Sequence, residues 1–426
     1  MFGGNANNSA NAGFAYSNSN NVPSNTNANI GSHLCLKIIR EGDRATWQKI
    51  SKLPKVLVGR NRPLRLRKQS IMKRIGNLYE KIISIENLEL ADRRARKGKL
   101  DTYGVKVHDQ HREENIAKLH NALLNKTFRT SKYHVFTIRE PKEREIYRLP
   151  YYPDRIVHHA IMNILEPIWV KTFTYNTYSC IKHRGIEACA SRVKHIIHSY
   201  KGKTLYCLKI DIRKYYPSIN HTVLKKIVRK KIKDKDLLWL IDEIIDSAAG
   251  LPIGNYLSQY LSNLYLCYFL HWVNEQLPTI VKNDISLSYR PIIQAVEYAD
   301  DIVFFSDSKS VLHCVIRHIS DYIEHELKLH IKDNWQIFPI AKNRYSKNGR
   351  ALDYVGYKFY LDQVQIRKCI KKNFCRKVAG LNKCNTSIDA LSYKKQISPW
   401  LGWAKHSDSI NLLKTIIKPE YYESIL

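Results

Sequence analysis

No stretch of this 426-residue chain approaches the roughly 18 consecutive apolar residues of a membrane-spanning helix, and the N-terminus lacks the basic start and apolar run of a secretory signal. The expectation is a cytosolic protein without membrane association. Cysteine is sparse: nine residues, at 35, 180, 189, 207, 267, 314, 369, 375 and 384, with no C-x-x-C pair. An odd, scattered set excludes a disulfide framework and gives no zinc-ligand spacing, so reduced structural thiols and no zinc site are expected. Acidic residues are also scarce. Asp plus Glu number 38 against 70 Lys plus Arg, a formal net charge of +32. That balance implies an anionic partner larger than a metabolite, nucleic acid first, with a merely basic surface as the alternative.

Apolar and aromatic residues, in contrast, make up 44% and 11% of the chain, with 27 tyrosines, the proportions of a folded globular protein. Single cores stop growing at roughly 250 to 300 residues, so the length predicts two to four subdomains and room for a deep cleft.

Residues 1–33 stand apart, about a third Asn and the rest mostly Ser, Ala and Gly, with no helical or strand period. Disorder is the expectation. The segment 34–74 turns basic, with RNRPLRLRKQ at 60–69 suited to phosphate contact. Leu78, Ile82, Ile85, Leu88 and Ala91 recur at helical spacing and predict one amphipathic helix over 78–99, with a second over 109–125. YHVFTIREPKEREIYRLP (133–150) reads as two strands joined by a turn at 140–143. Helices are predicted over 155–173, after the polar loop 183–185, over 224–246, and from GLPIGNYLSQ to about Glu275. TLYCLKIDIRKYY (204–216) is an apolar strand with an aspartate at its end. AVEYADDIVFFS (295–306) is a hairpin carrying two carboxylates at its tip. Strands and helices alternate without a strict βαβ repeat, which predicts an α+β fold.

Asp300 and Asp301 are adjacent and flanked by apolar strand residues, where like charges raise each other's pKa. A divalent cation removes that cost, and Mg²⁺ suits a site with few protein carboxylates. Alone, Y-x-D-D reads equally well as a surface turn. Asp211, at the end of LYCLKI and followed by Tyr215 and Tyr216, supplies the other half of a two-metal site, in which ions roughly 3.5 to 4 Å apart act on both oxygens of an in-line displacement.

The order DIRKYYPSI, GLPIGNYLSQ, YADDIVFF and DYVGYKFY (353–360) resembles the palm of a reverse transcriptase, over roughly residues 75–426. Within that family the chain is similar to the enzymes of diversity-generating retroelements, relatives of the group II intron reverse transcriptases. RIVHHAIMNILEPIW, CIKHRG (180–185), NWQIFP (334–339) and WLGWAKHSDSINLLK (400–414) carry that likeness, as does Ile253-Gly254-x-x-x-Ser258-Gln259, where most of the superfamily has Gln-Gly-x-x-x-Ser-Pro. No H-N-H pattern or maturase segment follows the thumb region, which argues against a mobile intron protein.

The resemblance implies a right-hand polymerase of fingers, palm and thumb. Its domains would be a leader at 1–33, a basic extension with helices at 34–110, fingers and palm at 111–360, and a thumb at 361–426. It implies that Asp211, Asp300 and Asp301 are the catalytic carboxylates, holding two Mg²⁺ ions (Mn²⁺ substituting) with the backbone carbonyl of Ile212. Tyr216 would lie under the incoming sugar and exclude a 2′-hydroxyl, a core aromatic being the alternative. Lys142 and Arg144 would reach the triphosphate, and Ile253, Gly254 and Gln259 would line the nucleotide site. Lys332 is a candidate general acid for pyrophosphate, or a surface lysine; Arg155 is a weaker nucleotide-site candidate, or structural. Trp400 and Trp403 would contact the minor groove of the hybrid duplex or pack between thumb helices. The implied partners are a template RNA, the RNA/DNA hybrid, dNTPs and a small basic accessory protein, in a bacterial or phage-encoded system. The Asn-rich leader resembles a translated template repeat of such an element. The implied activity is RNA-directed DNA synthesis with errors opposite template adenine. The rivals are a group II-like or defence reverse transcriptase of ordinary fidelity and a non-catalytic RNA-binding protein.

Overall fold

The computed structural model describes residues 74–139, 143–200, 204–383 and 389–425. The Asn-rich leader, the basic arm at 60–69 and Lys142 lie outside the described residues.

The first helices are α1 (Ile85–Ala95) and α2 (Arg112–Leu124), followed by the antiparallel hairpin β1 (His134–Ile138) and β2 (Arg144–Arg148), in the places the sequence pattern predicts. Next come α3 (Ile156–Thr172), α4 (Ile186–Ser199) and β3 (Tyr206–Asp211). The long α5 (Tyr256–Glu275) leads to β4 (Gln294–Tyr298), β5 (Asp301–Ser306), α6 (Lys309–His325) and β6 (Gln336–Pro339). A three-stranded sheet of β7 (Leu352–Tyr354), β8 (Tyr357–Phe359) and β9 (Val364–Ile366) precedes α7 (Lys368–Lys383) and α8 (Ala390–Lys405). The architecture is α+β.

The central sheet has the order β4-β5-β3-β6, all neighbours antiparallel. Its strands read as nearly unbroken apolar runs because both faces are covered. Leu208, Ile210, Ile302 and Phe304 join the core that includes α3, α5 and α6, while Cys207, Val303 and Phe305 join a second core with α4 and β7 to β9. Burying each such side chain contributes about 1.5 to 3 kcal/mol. Two covered faces leave the strand ends as the place where polar groups can meet solvent.

Two helices expected as continuous are broken. At 78–99 the chain forms Tyr79–Ile83 and then α1, because Ser84 caps a new start, its Oγ accepting from the Asn87 N–H at 3.3 Å. At 224–246 it forms His221–Arg229 and Lys235–Asp246. Here the Asp234 carboxylate accepts from the Leu237 N–H at 3.2 Å and from the N–H groups of Leu78 and Tyr79 at 2.6 and 3.0 Å, joining two helix starts.

Trp400 stacks on Phe374 at 6.0 Å and Trp403 packs on Tyr357 at 5.1 Å. Both tryptophans pack helices α7 and α8 onto each other and onto the small sheet. Cys180, Cys189, Cys207, Cys267, Cys314, Cys369 and Cys375 are free thiols.

Candidate active site

Antiparallel pairing of β3 with β5 puts Asp211 directly opposite Asp301, and Asp300 occupies the tip of the β4–β5 hairpin. Ala299 makes the turn with φ +57°, the left-handed region that costs a non-glycine residue roughly 1 kcal/mol or more and that recurs at functional sites. Strand pairing thus gathers at one end of the sheet Asp211 and the adjacent Asp300 and Asp301, some 90 residues away in sequence.

Two lysines meet them. The Lys332 ammonium lies 2.6 Å from Asp211 Oδ2, and the Lys332 N–H donates to the Asp211 carbonyl at 2.8 Å. Lys332 is carried there by a bridge between Ile212 and Ile331 and by the Arg213 N–H donating to the His330 carbonyl at 2.8 Å. Lys209 donates to Asp301 Oδ2 at 3.1 Å. The remaining oxygens, Asp211 Oδ1 and Asp301 Oδ1, are buried without a hydrogen-bond partner. Burial pushes the Asp300 carboxyl up from its ordinary range, Asp211 adds to the rise, and Lys332 and Arg144 oppose it. Burial pushes Asp301 up to about 6, against the pull of Lys209. Repulsion between the adjacent aspartates therefore contributes, but desolvation is the larger cause.

The positive charge of Arg144, at the start of β2, acts on Asp300. Further along β2 the Tyr147 N–H donates to the Ile253 carbonyl at 2.9 Å. Gly254 has φ +118°, and a Cβ there would lie 3.0 Å from the Tyr147 carbonyl oxygen, so this close approach requires glycine. The Ile253 side chain is only half-buried. Gln259, partly exposed in the first turns of α5, accepts at its carbonyl from Ser262 Oγ at 2.8 Å. Ser262 Oγ also lies 3.2 Å from Tyr216 Oη, within hydrogen-bond distance, and Tyr216 packs edge-on to Tyr215 at 5.5 Å. Arg155 lies beside the like charge of Arg148, and burial lowers its pKa.

Sequence reasoning missed Lys209 and Glu297. Lys209 lies two residues before Asp211 in a strand, hence on the same face, and that spacing is the signal that could have found it. Glu297 is fully buried three residues before Asp300, and burial pushes it up to about 8. Elsewhere, Asp284, Cys314 and His318 bring ligand-type atoms together, but Arg317 already pairs with Asp284 at 2.9 Å and neutralises its carboxylate.

Residues 139–349 match the family model described as reverse transcriptase (RNA-dependent DNA polymerase). The chain carries a reverse transcriptase domain. Protein YkfC of Escherichia coli K12 is 25% identical over 283 residues, covering 59% of this chain and 72% of that protein. The retron Ec73 reverse transcriptase of Escherichia coli is 28% identical over 199 residues, covering 43% of this chain and 58% of its own length. Among solved structures, telomerase of Candida albicans in complex with a fragment of telomeric RNA is similar with a TM-score of 0.42 and 11% identity, over 72% of this chain and 69% of that one. The matched domain family is that of RNA-directed DNA polymerases, a class that generally uses divalent metal ions. Among the described residues no helix is long and apolar enough to cross a membrane.

Proposed function

We propose that this reverse transcriptase domain joins dNTPs to a primer on an RNA template at Asp211, Asp300 and Asp301, with two Mg²⁺ ions that Mn²⁺ can replace. The observation that carries this reading is the meeting of three carboxylates at one end of the sheet with two buried oxygens left unpartnered. Buried, unpaired carboxylate oxygens are costly, and a hard divalent cation offsets that cost. The Ile212 carbonyl would complete the donor set. When bound, two such ions would activate a primer 3′-hydroxyl and stabilise charge on the leaving pyrophosphate.

The chain's own residues then divide the remaining work. Arg144, at the start of β2, binds the triphosphate, with Lys142 as the second cation that the resemblance assigns to it. Lys332, 2.6 Å from Asp211, holds a proton close to the carboxylates, within reach of a leaving group bound there. Tyr216 closes the floor of the sugar site, fixed by Ser262. Ile253, Gly254 and Gln259 line the nucleotide pocket.

Within this activity we favour the enzyme of a diversity-generating retroelement, copying its template with errors opposite adenine and working with a small basic accessory protein. The Ile253-Gly254-x-x-x-Ser258-Gln259 segment supports this, as does the half-exposed, donor-free Ile253 side chain beside β2. A site that holds a base only by apolar contact discriminates by roughly 1 to 3 kcal/mol, far less than one with hydrogen-bond partners. Similarity to a retron reverse transcriptase supports the competing reading, a reverse transcriptase outside the diversity-generating group, for which ordinary fidelity is expected. Sequencing cDNA made on one RNA template separates them. The wild type is expected to show excess errors opposite adenine, and Ile253→Gln or Ile253→Asn to reduce that excess while polymerisation persists. An even, low error spectrum in the wild type overturns the retroelement reading, and an unchanged error ratio in the variants makes Ile253 structural.

A further inference from the structure

Lys209 makes two hydrogen bonds of different kinds. Its ammonium donates to Asp301 Oδ2 at 3.1 Å and to the backbone carbonyl of Asp353 in β7 at 2.9 Å, and it lies 5.6 Å from the centre of the Tyr354 ring. Tyr354 in turn donates its hydroxyl to the Asp301 carbonyl at 2.9 Å. The Asp353 carboxylate accepts from Arg367 Nε at 2.8 Å, immediately before α7. One lysine therefore links a carboxylate of the candidate metal site to the small sheet from which α7 departs. Its bond to Asp301 uses Oδ2 and leaves the buried Oδ1 unpartnered.

We propose that Lys209 is a positioning residue of the metal site: the resident counter-ion of Asp301, which fixes that carboxylate through Oδ2, leaves Oδ1 to a divalent cation, and anchors the site to β7. The proposal rests on the reading of Asp211, Asp300 and Asp301 as metal ligands. It has a thermodynamic signature. Three clustered carboxylates repel one another, and without the ammonium Asp301 loses its neutralising partner. A cation that binds the folded state alone then restores more stability than it does in the wild type.

The test is thermal unfolding of the full chain, wild type, Lys209→Met and Lys209→Arg, in EDTA and in saturating Mg²⁺, with no nucleic acid present. Lys209→Met is expected to lower Tm in EDTA by roughly 2 °C or more. Mg²⁺ should recover at least half of that loss, and Lys209→Arg, which keeps the charge, should follow the wild type. Adding Asp301→Asn to Lys209→Met should restore Tm in EDTA, because the uncompensated charge is gone. Extension by Lys209→Met at saturating Mg²⁺ should fall on the order of tenfold, as Asp301 is no longer held in place. An equal loss of Tm with and without Mg²⁺ would make Lys209 a packing residue and overturn the proposal, as would an unchanged Tm in EDTA. A wild type indifferent to both Mg²⁺ and Mn²⁺ contradicts the metal reading and this proposal together. The Asp301→Asn cycle in EDTA separates the two, because it reads the ion pair without any metal.

Discussion

Glu297 lies in β4 with no exposed surface, and burial pushes its carboxyl up to about 8 while the nearby Thr177 hydroxyl eases its charge only slightly. The folded state therefore keeps a proton that the unfolded chain releases near pH 4.5. Between those values the native state binds more protons than the unfolded one, so stability falls as pH rises, by up to about 1.4 kcal/mol per pH unit, and levels off above pH 8. Glu297→Gln keeps the shape without the proton. Urea unfolding at pH 5, 6, 7 and 8 should show this variant with a flatter profile than the wild type and greater stability at pH 8; parallel profiles would mean that Glu297 does not titrate in this window. Tyr216, in contact with Ser262 and proposed to lie under the incoming sugar, carries a second residue-scale prediction. Tyr216→Val should admit ribonucleotides by removing a clash, raising ribonucleotide incorporation on the order of tenfold or more. Unchanged exclusion in single-nucleotide extension assays would return Tyr216 to a core role. The grouping of the three aspartates was legible in the sequence because each lies at the end of an apolar strand run and the resemblance to a reverse transcriptase palm joins the two motifs. Lys209 and Glu297 were not, since a charged residue at an alternate strand position ordinarily reads as solvent-facing, and only the covering of both sheet faces turns it inward.

Elements with strong periodicity were read correctly: the β1–β2 hairpin, α3, α5 and the β4–β5 hairpin all fall where the pattern puts them. The helix breaks at Ser84 and Asp234 were hidden because the apolar period continues across them; the caps themselves are local, and only the further bonds of Asp234 to Leu78 and Tyr79 reach far along the chain. The contact of α8 with the small sheet at Gly356 was equally unreadable. Gly356 has φ +87°, and a Cβ there would sit 2.3 Å from the Trp403 ring, so β7–β8 and α8 can meet only at a glycine. Gly356→Ala should cost roughly 2 to 4 kcal/mol, combining overpacking with the loss of left-handed freedom. The expected readout is a lower urea midpoint together with shorter cDNA products, as α8 loosens from the sheet. A midpoint and product length like those of the wild type would show that the ring moves aside at no cost.

Across the whole chain, a net charge of +32 and a cluster of carboxylates serve opposite purposes. In the proposed reading the basic residues attract the polyanion and make binding depend on salt, while the acidic end of the sheet holds cations for chemistry. The α+β class and the strands that carry the aspartates followed from periodicity and resemblance. The pairing of β3 with β5, which converts distant motifs into one site, is a long-range contact that no local pattern encodes. Separation of binding from chemistry is therefore the central claim, and it is tested most directly by primer extension on RNA alongside RNA binding, for the wild type, Asp211→Ala and Asp300→Ala. Each substitution is expected to reduce Mg²⁺-dependent extension by at least about a thousandfold while RNA affinity stays within a few-fold of the wild type; extension near the wild-type rate in either variant would contradict the account.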